Sequence, residues 1–543
     1  MGFGPAFTGS NALDMKWWHY LLLYALGLGV VFTVSIFQSS PGYMDADYYY
    51  AVGLRIANGY GFSEPFIWNY LDNPAGIPHP SNAYWMPLTS LWVALVTKIL
   101  GASNFKAVQV GFVALSALLP PFTATLAYSF SQRREVGLLA GLIAAFPGFY
   151  LSYLSTSDAI GICMALGALF LWTAGRTSQF SQGKVYGILF LLGILAGLMH
   201  LARMDGVLWL LVACCLALSR WRMKAWDIKA TISLFSTGLG YLLIMGPWIA
   251  RNLRAFGTLM APGGLRILWL TKYDQLFTYP AVKLDISQWW ASGFEEILRV
   301  RFWALGQNLQ TILAVQGMIF LLPLIVVGLW QLRNHPAVRS GVLAWLLTFG
   351  AMTFIFPFAG VRGGLLHSGA ALQPLFFAVF PVGLETCVEW GVRQRGWSAN
   401  NAFKFFAAGL VLLAIFLTVV VLNAKVIGGD VSQSVWDKSY WVYLRQDEVL
   451  HSLGAGEEDI AMVNNPPGYY VANGRQTTVI PYGDEADLVD AAKRYQARYV
   501  LLDEKYIGGP LGDLYTHPGD RPGLRYLQTD GGDNFYQVIQ VGE

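Results

Sequence analysis

The chain has 543 residues, of which 55% are hydrophobic and only 13% are charged, and its mean hydropathy is +0.45. Soluble domains carry about 25% charged residues, so this composition excludes an ordinary soluble protein and indicates a multi-pass membrane protein. The formal net charge of +3 comes from basic residues in short loops between apolar runs, which offer no continuous basic face to a nucleic acid.

Eleven apolar runs are long enough, or nearly long enough, to cross a bilayer. They are 17–37, 107–130, 136–151, 157–175, 185–200, 206–219, 229–250, 309–331, 340–358, 365–390 and 402–427. The first run has no small-residue cleavage signal before Gly42, which predicts an uncleaved helix. The run Met86–Leu100 is shorter and carries Lys98, which favours an amphipathic helix on the membrane surface. All four cysteines lie in apolar runs and are predicted to be small buried side chains.

Basic residues predict the orientation of the chain. If Met86–Leu100 lies on the surface, the basic loops all fall on one side, which the positive-inside rule assigns to the cytoplasm. These loops carry Arg133, Arg134, Arg176, Lys184, Arg220, Arg222, Lys224, Lys229, Arg333, Arg339, Arg393, Arg395 and Lys404. The short loops of the other side carry only Arg203 and Arg362. We therefore expect a multi-pass protein of the plasma (inner) membrane, with a cytoplasmic N-terminus and an external C-terminus.

Two long segments, 38–100 and 252–308, are external in this orientation. The first contains many aromatic residues and prolines, which are typical of an ordered loop with juxtamembrane helices. The second is rich in Trp, Tyr and Phe and is predicted to be part helix and part loop, able to cover a cavity at the membrane surface.

The composition changes after residue 427, where the apolar runs shorten. Segments 459–463 and 499–502 are predicted as short buried strands, and 484–497 is predicted as a helix with an acidic first turn. A turn-rich stretch, 464–481, leads into another strand, and 535–541 could be a final one. The predicted fold is an all-α polytopic membrane domain, residues 1–427, followed by a small α/β external domain, residues 428–543.

This orientation gathers nine polar residues at one membrane face. They are Asp45, Asp47, His79, Asp158, Arg203, Asp205, Arg251, Arg254 and His367. A charge in the bilayer centre costs about 2.5–3.5 kcal/mol, so charges at the ends of apolar segments indicate a functional site. Carboxylates can act as a general base or hold a cation, and arginines bind phosphate. Such a set suits a sugar donor linked to a lipid phosphate, with transfer by a single inverting displacement.

Several of these residues also have plainer explanations. Arg203 could reach the interface or pair with Asp205, and His367 could bond to a neighbouring helix. His79 could satisfy loop carbonyls, and Arg251 and Arg254 could be ordinary charges at a helix end. Two other functions remain open, a lipid-linked sugar flippase or other transporter and a non-catalytic polyprenyl-phosphate binder. Transporters tend to show internal repeats, and none stands out here.

The order of the motifs resembles that of the GT-C glycosyltransferase superfamily, over roughly residues 15–430. These multi-pass enzymes use polyprenyl- or dolichyl-phosphate sugars and include protein O-mannosyltransferases and aminoarabinose transferases. The similar segments are MDADYYYAVGLRIANGYGF from Met44, PHPSNAYWMPL from Pro78, LARMDG from Leu201 and PWIARNLRAFG from Pro247. The commoner Asp-Glu pair of the family is Asp-Ala-Asp here, which leaves the choice of base between Asp45 and Asp47 open. The Trp-Trp-Asp signature of oligosaccharyltransferases is absent, which argues against en bloc transfer to asparagine.

The resemblance implies a glycosyltransferase that moves one hexose or pentose from a polyprenyl-phosphate donor to a lipid, glycan or protein acceptor. Asp45 would be the catalytic base, with Asp47 as its helper. Arg203, Arg251 and Arg254 would bind the donor phosphate. The acceptor, or a divalent cation such as Mg or Mn, would be oriented by Asp158, His79, Asp205 and His367, and the cation ligands would be Asp45, Asp47 and Asp158.

Overall fold

The computed structural model describes residues 14–179, 182–219, 228–429, 434–506 and 509–539. Arg220, Arg222 and Lys224, and the end of the strand predicted at 535–541, lie outside these residues. Contacts between Cα atoms divide the chain into two compact units. The helical unit comprises Met1–Phe37, Gln109–Ala250 and Phe302–Val431, and the sheet unit comprises Gln38–Val108, Arg251–Arg301 and Ser432–Glu543.

Apolar helices account for every run predicted to cross the membrane. Among the described residues, eight are long and apolar enough to do so: Trp17–Ile36, Phe105–Ser131, Ala159–Gln179, Gly183–Ala202, Ile228–Phe256, Pro336–Ile355, Gln373–Arg395 and Ala399–Ile427. The three remaining predicted runs correspond to the shorter helices Arg134–Ala145, Met204–Ser219 and Leu322–Gln331. The prediction of an all-α polytopic membrane domain is therefore confirmed.

Some of these runs are less regular than the sequence suggests. The run predicted at 309–331 begins in the helix Phe294–Thr311, passes through the π-helix Ile312–Gln316 and resumes as a helix only at Leu322. Met318 and Ile319 in the break have φ angles of 45° and 66°. A second irregular stretch, Ala351–Gly364, contains two further π-helical segments and Gly363 at φ 111° before the helix Leu365–Ala370. Hydropathy measures how apolar a run is and not how continuous its helix is, so it misses such breaks.

A six-stranded sheet lies at the centre of the sheet unit. Its strands follow the spatial order Phe66–Ile67, Thr477–Val479, Ile460–Val463, Ala497–Leu502, Asp533–Val538 and Leu524–Asp530. The first four strands are parallel, and the last two pair antiparallel. The predicted strands at 459–463 and 499–502 and the helix at 484–497, observed as Glu485–Arg494, are confirmed. One strand comes from the first long segment, because Phe66 and Ile67 pair with Thr477 and Thr478.

The sheet unit also contains several helices. Met44–Ala57 carries both aspartates of the Asp-Ala-Asp motif and is called the aspartate helix below. The helix predicted at 86–100 is observed as Leu88–Leu100, and its place on the membrane surface stays a prediction. Three α-helices of the described C-terminal region were not predicted, Lys438–Ser452, Pro466–Asn473 and Gly512–Thr516. The second lies in the stretch predicted as turn-rich, where Asn465 accepts a capping hydrogen bond from Gly468 N and two prolines occupy the first turn.

Candidate active site

The aspartate helix presents its two carboxylates in different directions. Asp45 and Asp47 are two positions apart in the first turn, and an α-helix turns about 200° over two residues. Asp45 is partly buried, whereas Asp47 is only 5% exposed. The two side chains therefore meet different surroundings although they are neighbours in sequence.

Asp47 is packed against the C-terminal part of the sheet unit. Asn465 Nδ2 donates to Asp47 Oδ2 at 3.4 Å and to the Tyr443 hydroxyl at 3.1 Å. Burial raises the pKa of Asp47 to about 8, against the lowering effect of the Asn465 hydrogen bond and with a further raising effect from the Asp45 charge. At neutral pH this carboxyl is therefore mostly protonated.

His79 belongs to a buried ionic network. Its Nδ1 lies 3.3 Å from Glu64 Oε1, and its Nε2 lies 2.8 Å from Asp72 Oδ2. Burial disfavours the imidazolium, but the two carboxylates outweigh burial and raise the pKa of His79 to about 9. Glu64 Oε2 also accepts a hydrogen bond of 2.6 Å from the Tyr48 hydroxyl. The network thus reaches the aspartate helix through Tyr48. A role for His79 in orienting the acceptor stays a prediction.

Arg251 is held against the first long segment as well. Its Nη2 donates to the Ser81 carbonyl at 2.6 Å and to the Phe62 carbonyl at 3.4 Å. The guanidinium carbon lies 4.8 Å from the centre of the Phe256 ring, within the range of a cation–π contact. Arg254, one turn further along the same helix, is exposed.

A cavity of about 580 Å³ opens in the sheet unit between the two long segments. Its volume falls within the usual range of about 300–1,000 Å³ for small-molecule sites. Its lining is mostly apolar with one acid and one base, from Leu71, Asp72, Thr258, Leu259, Met260, Pro262 and Arg266. Asp72 therefore both lines this cavity and pairs with His79.

Asp158 and His367 meet in the helical unit. Asp158 is the N-cap of the helix Ala159–Arg176, where its Oδ1 accepts from Ile160 N at 2.8 Å. Its Oδ2 lies 3.1 Å from His367 Nε2, and His367 Nδ1 lies 2.8 Å from the Gly363 carbonyl oxygen. Because a carbonyl can only accept, Nδ1 carries a proton. A hydrogen bond between Nε2 and Asp158 then requires a second proton, either on the imidazole or on the carboxyl.

Arg203 and Asp205 form an ion pair of 3.0 Å in the same unit, and the side chains are 18% and 17% exposed. Cys163, one turn into the helix that Asp158 caps, lies within electrostatic range of Asp158, Arg203 and Asp205. Asp158, Arg203 and Asp205 thus share one neighbourhood of the helical unit, and His367 joins it through Asp158. The other five predicted residues lie in the sheet unit, and the gathering of all nine at one membrane face stays a prediction.

The sequence predicts a divalent cation held by Asp45, Asp47 and Asp158. Asp45 and Asp47 lie on different sides of their helix. Among the residues that the structure describes, no group of three or more His, Cys, Asp or Glu side chains is arranged to hold a metal ion. A cation held by these three carboxylates stays a prediction.

Sequence reasoning missed the partners of the predicted residues. Glu64 and Asp72 belong to no motif, and Asn465 lies 418 residues from Asp47. Only their burial and contacts reveal them. One indication of the His79 network was present in the sequence, because Asp72 and His79 lie in a short segment rich in prolines.

No protein-family model matches the sequence, and no curated protein matches it. Solved structures do match. The ArnT structure from Cupriavidus metallidurans bound to undecaprenyl phosphate has a TM-score of 0.55 at 11% identity, over 96% of this chain and 98% of that one. The oligosaccharyltransferase AglB from Archaeoglobus fulgidus, in complex with an inhibitory peptide and a dolichol-phosphate, has a TM-score of 0.54 at 12% identity. The match covers 97% of this chain and 75% of that one.

An AglB structure in complex with Zn and sulfate has a TM-score of 0.51 at 11% identity, over 95% of this chain and 72% of that one. At such low identities these likenesses establish the fold. The chain has the GT-C fold, as its motifs indicate, and the resemblance drawn from the sequence is confirmed at that level.

Proposed function

We propose that this protein is a membrane glycosyltransferase that moves one sugar from a polyprenyl-phosphate carrier to an acceptor outside the cytoplasm. The main support is the fold, which extends over 96–97% of the chain in common with ArnT bound to undecaprenyl phosphate and AglB in complex with a dolichol-phosphate. The chain also spans nearly the whole length of ArnT, 98%, but only 75% of AglB. Transfer of a single sugar is favoured by the sequence, in which the Trp-Trp-Asp signature of oligosaccharyltransferases is absent.

Asp45 is the proposed general base. A protonated Asp47 cannot take a proton from an acceptor, whereas Asp45 is only partly buried at the start of the same helix. The acceptor hydroxyl would lose its proton to Asp45 as its oxygen attacks the anomeric carbon. The bond from that carbon to the phosphate oxygen would break on the opposite face, which inverts the configuration.

Cationic side chains would stabilise the phosphate that leaves. Arg203 and the exposed Arg254 are the proposed contacts. Arg251 donates to the carbonyls of Ser81 and Phe62, so we assign it a contribution through its charge rather than through a bidentate bond. Asp158, with His367 and Asp205, is proposed to orient the acceptor. No step of this scheme uses a metal ion.

The test is turnover by the purified full-length chain in nanodiscs. Undecaprenyl-phosphate-linked hexoses and pentoses serve as donors, membranes of the host serve as the source of acceptor, and release of undecaprenyl phosphate is measured. Asp45→Asn should lower the rate by about 10²–10⁴-fold, the usual contribution of a general base. Asp47→Asn is the matched control and should stay within about threefold of the wild type, because asparagine mimics a protonated aspartate. A fully active Asp45→Asn variant would refute the assignment of the base, and no release by the wild type from any donor would refute the function.

A further inference from the structure

The backbone that leads into the aspartate helix is held by residues from the far end of the chain. Asp437 is 4% exposed, and its Oδ1 accepts from Ser40 N at 2.8 Å and from Ser40 Oγ at 2.7 Å. Its Oδ2 accepts from Ser39 N at 2.9 Å and from Ser434 Oγ at 2.9 Å. A buried carboxylate is costly unless hydrogen bonds satisfy it, so these contacts favour one arrangement of residues 39–40.

Trp436 adds a second contact to the same short segment. Its indole Nε1 donates to the Ser40 carbonyl at 3.1 Å, and its ring stands edge-on to Tyr43, with 5.8 Å between the ring centres. The ring also covers Gly42 so closely that a Cβ placed there would lie 2.3 Å from the indole. The backbone from Ser39 to Gly42 is thus fixed by two consecutive side chains, and the aspartate helix begins two residues later.

Residues of the same C-terminal region also contact the helix itself. Asn465 donates to Asp47, and a Cβ at Gly468 would lie 2.8 Å from Asp47 Oδ2. These two residues belong to the N-cap and first turn of the helix Pro466–Asn473. The aspartate helix is therefore fixed both before its first residue and along its first turn by parts of the chain about 400 residues away.

We propose that Asp437 is a positioning residue for Asp45, which acts through the backbone of residues 39–42. This inference rests on the proposed function, in which Asp45 removes a proton from the acceptor. A base works only when it is held within hydrogen-bond reach of the proton, and a displacement of about 1 Å can cost about 10²-fold in rate. The C-terminal region would then be an integral part of the catalytic machinery rather than an accessory module.

The test compares Asp437→Asn with Asp447→Asn in the full-length chain. Asp447 is also buried in the C-terminal region, at 8% exposed, but its partners are Arg475, Tyr469 and His451 and not residues 39–42. Asparagine at position 437 replaces one acceptor oxygen by an N–H₂ group. That group cannot accept from the N–H and O–H donors of Ser39, Ser40 and Ser434, so the arrangement breaks. Hydrogen exchange of the amides of residues 44–50, measured by mass spectrometry, reports the helix position without any assay of activity.

We expect faster exchange at residues 44–50 in Asp437→Asn alone, together with a kcat lowered by about tenfold or more and a KM for the donor within about twofold of the wild type. Asp447→Asn should lower the melting temperature but leave kcat per folded molecule within about twofold. Unchanged exchange in Asp437→Asn overturns the proposal, as does an unchanged kcat in an active enzyme. If the wild type shows no turnover, the proposed function fails, and the positioning role of Asp437 is then decided by hydrogen exchange alone. Faster exchange at residues 44–50 confined to Asp437→Asn supports that role. Exchange that does not differ from that of Asp447→Asn overturns it.

Discussion

Asp47 shows at the scale of one residue how burial changes what a carboxyl group can do. Its pKa is raised from 3.8 to about 8, so the folded protein binds this proton more tightly than the unfolded chain does. The corresponding stability is fully present below pH 3.8 and is lost as the pH rises through 8. Between these two pH values the free energy of unfolding should fall by about 1.4 kcal/mol for each pH unit, and above pH 8 the loss levels off.

Asp47→Asn should abolish this part of the pH dependence, because the amide cannot lose a proton. The measurement is thermal unfolding of the full-length chain in detergent, followed by tryptophan fluorescence between pH 6 and 9. His79 titrates in both proteins and provides a common background, since its pKa is also raised, to about 9. Between pH 6 and 8 the melting temperature of the variant should therefore fall less than that of the wild type. Equal pH profiles for the two proteins would contradict the protonated state of Asp47.

Asp158 combines two roles that different substitutions can separate. It caps the helix Ala159–Arg176 and pairs with His367. Asparagine is as good an N-cap as aspartate, whereas alanine costs about 1 kcal/mol. Asp158→Asn should therefore unfold near the wild-type temperature, and Asp158→Ala should unfold at a lower one.

Turnover then tests the proposed role of Asp158 in orienting the acceptor. If the charge pair with His367 matters, both variants should lose activity, including the one that keeps the helix cap. A fully active Asp158→Asn variant would assign the residue to helix capping alone.

At the scale of elements, the turn before the aspartate helix requires a glycine for two separate reasons. Gly42 has φ 98° and lies beneath the Trp436 ring. Gly59, just after the same helix, has φ 88°, but a Cβ at that position would meet no atom within 4 Å. Alanine at either site is destabilised by the left-handed backbone, which costs roughly 1–2 kcal/mol. Only Gly42→Ala should also displace Trp436.

We therefore expect Gly42→Ala to accelerate hydrogen exchange at residues 44–50 and to lower kcat by about tenfold or more, while Gly59→Ala lowers only the melting temperature. Mass spectrometry and the carrier-release assay provide the two measurements. Equal effects of the two substitutions on kcat would show that the contact with Trp436 has no influence on the aspartate helix.

The sequence predicted those elements whose signal is local. An apolar run identifies a membrane helix by its length, and the acidic first turn and basic last turn of Glu485–Arg494 identified that helix. The two-residue strand Phe66–Ile67 has no such signal, because it exists only by pairing with Thr477 and Thr478. The same holds for the site, where a motif led to Asp45 but nothing local led to Asn465 or Asp437.

At the scale of the whole molecule, the three segments predicted to be external share a unit. Segments 38–108, 251–301 and 432–543 associate with one another although long apolar helices separate them in the sequence. A membrane allows this arrangement, because polar segments that leave the bilayer on the same side can pack together while the helices stay in the hydrocarbon. The association supports the prediction that these three segments leave the bilayer on the same side. Which side of the membrane this unit faces stays a prediction.

Cysteine labelling in whole cells tests that side directly. In a background in which Cys163, Cys214, Cys215 and Cys387 are replaced by alanine, one variant carries Asp490→Cys and another carries Asn334→Cys. Both positions are exposed, the first in the sheet unit and the second in a loop predicted to be cytoplasmic from Arg333 and Arg339. Because basic loops stay inside, a membrane-impermeant maleimide should label the first variant in intact cells and the second only after permeabilisation. The reverse pattern would place the sheet unit in the cytoplasm, where Asp45 would not meet an external acceptor, and the proposed reaction would have to be abandoned.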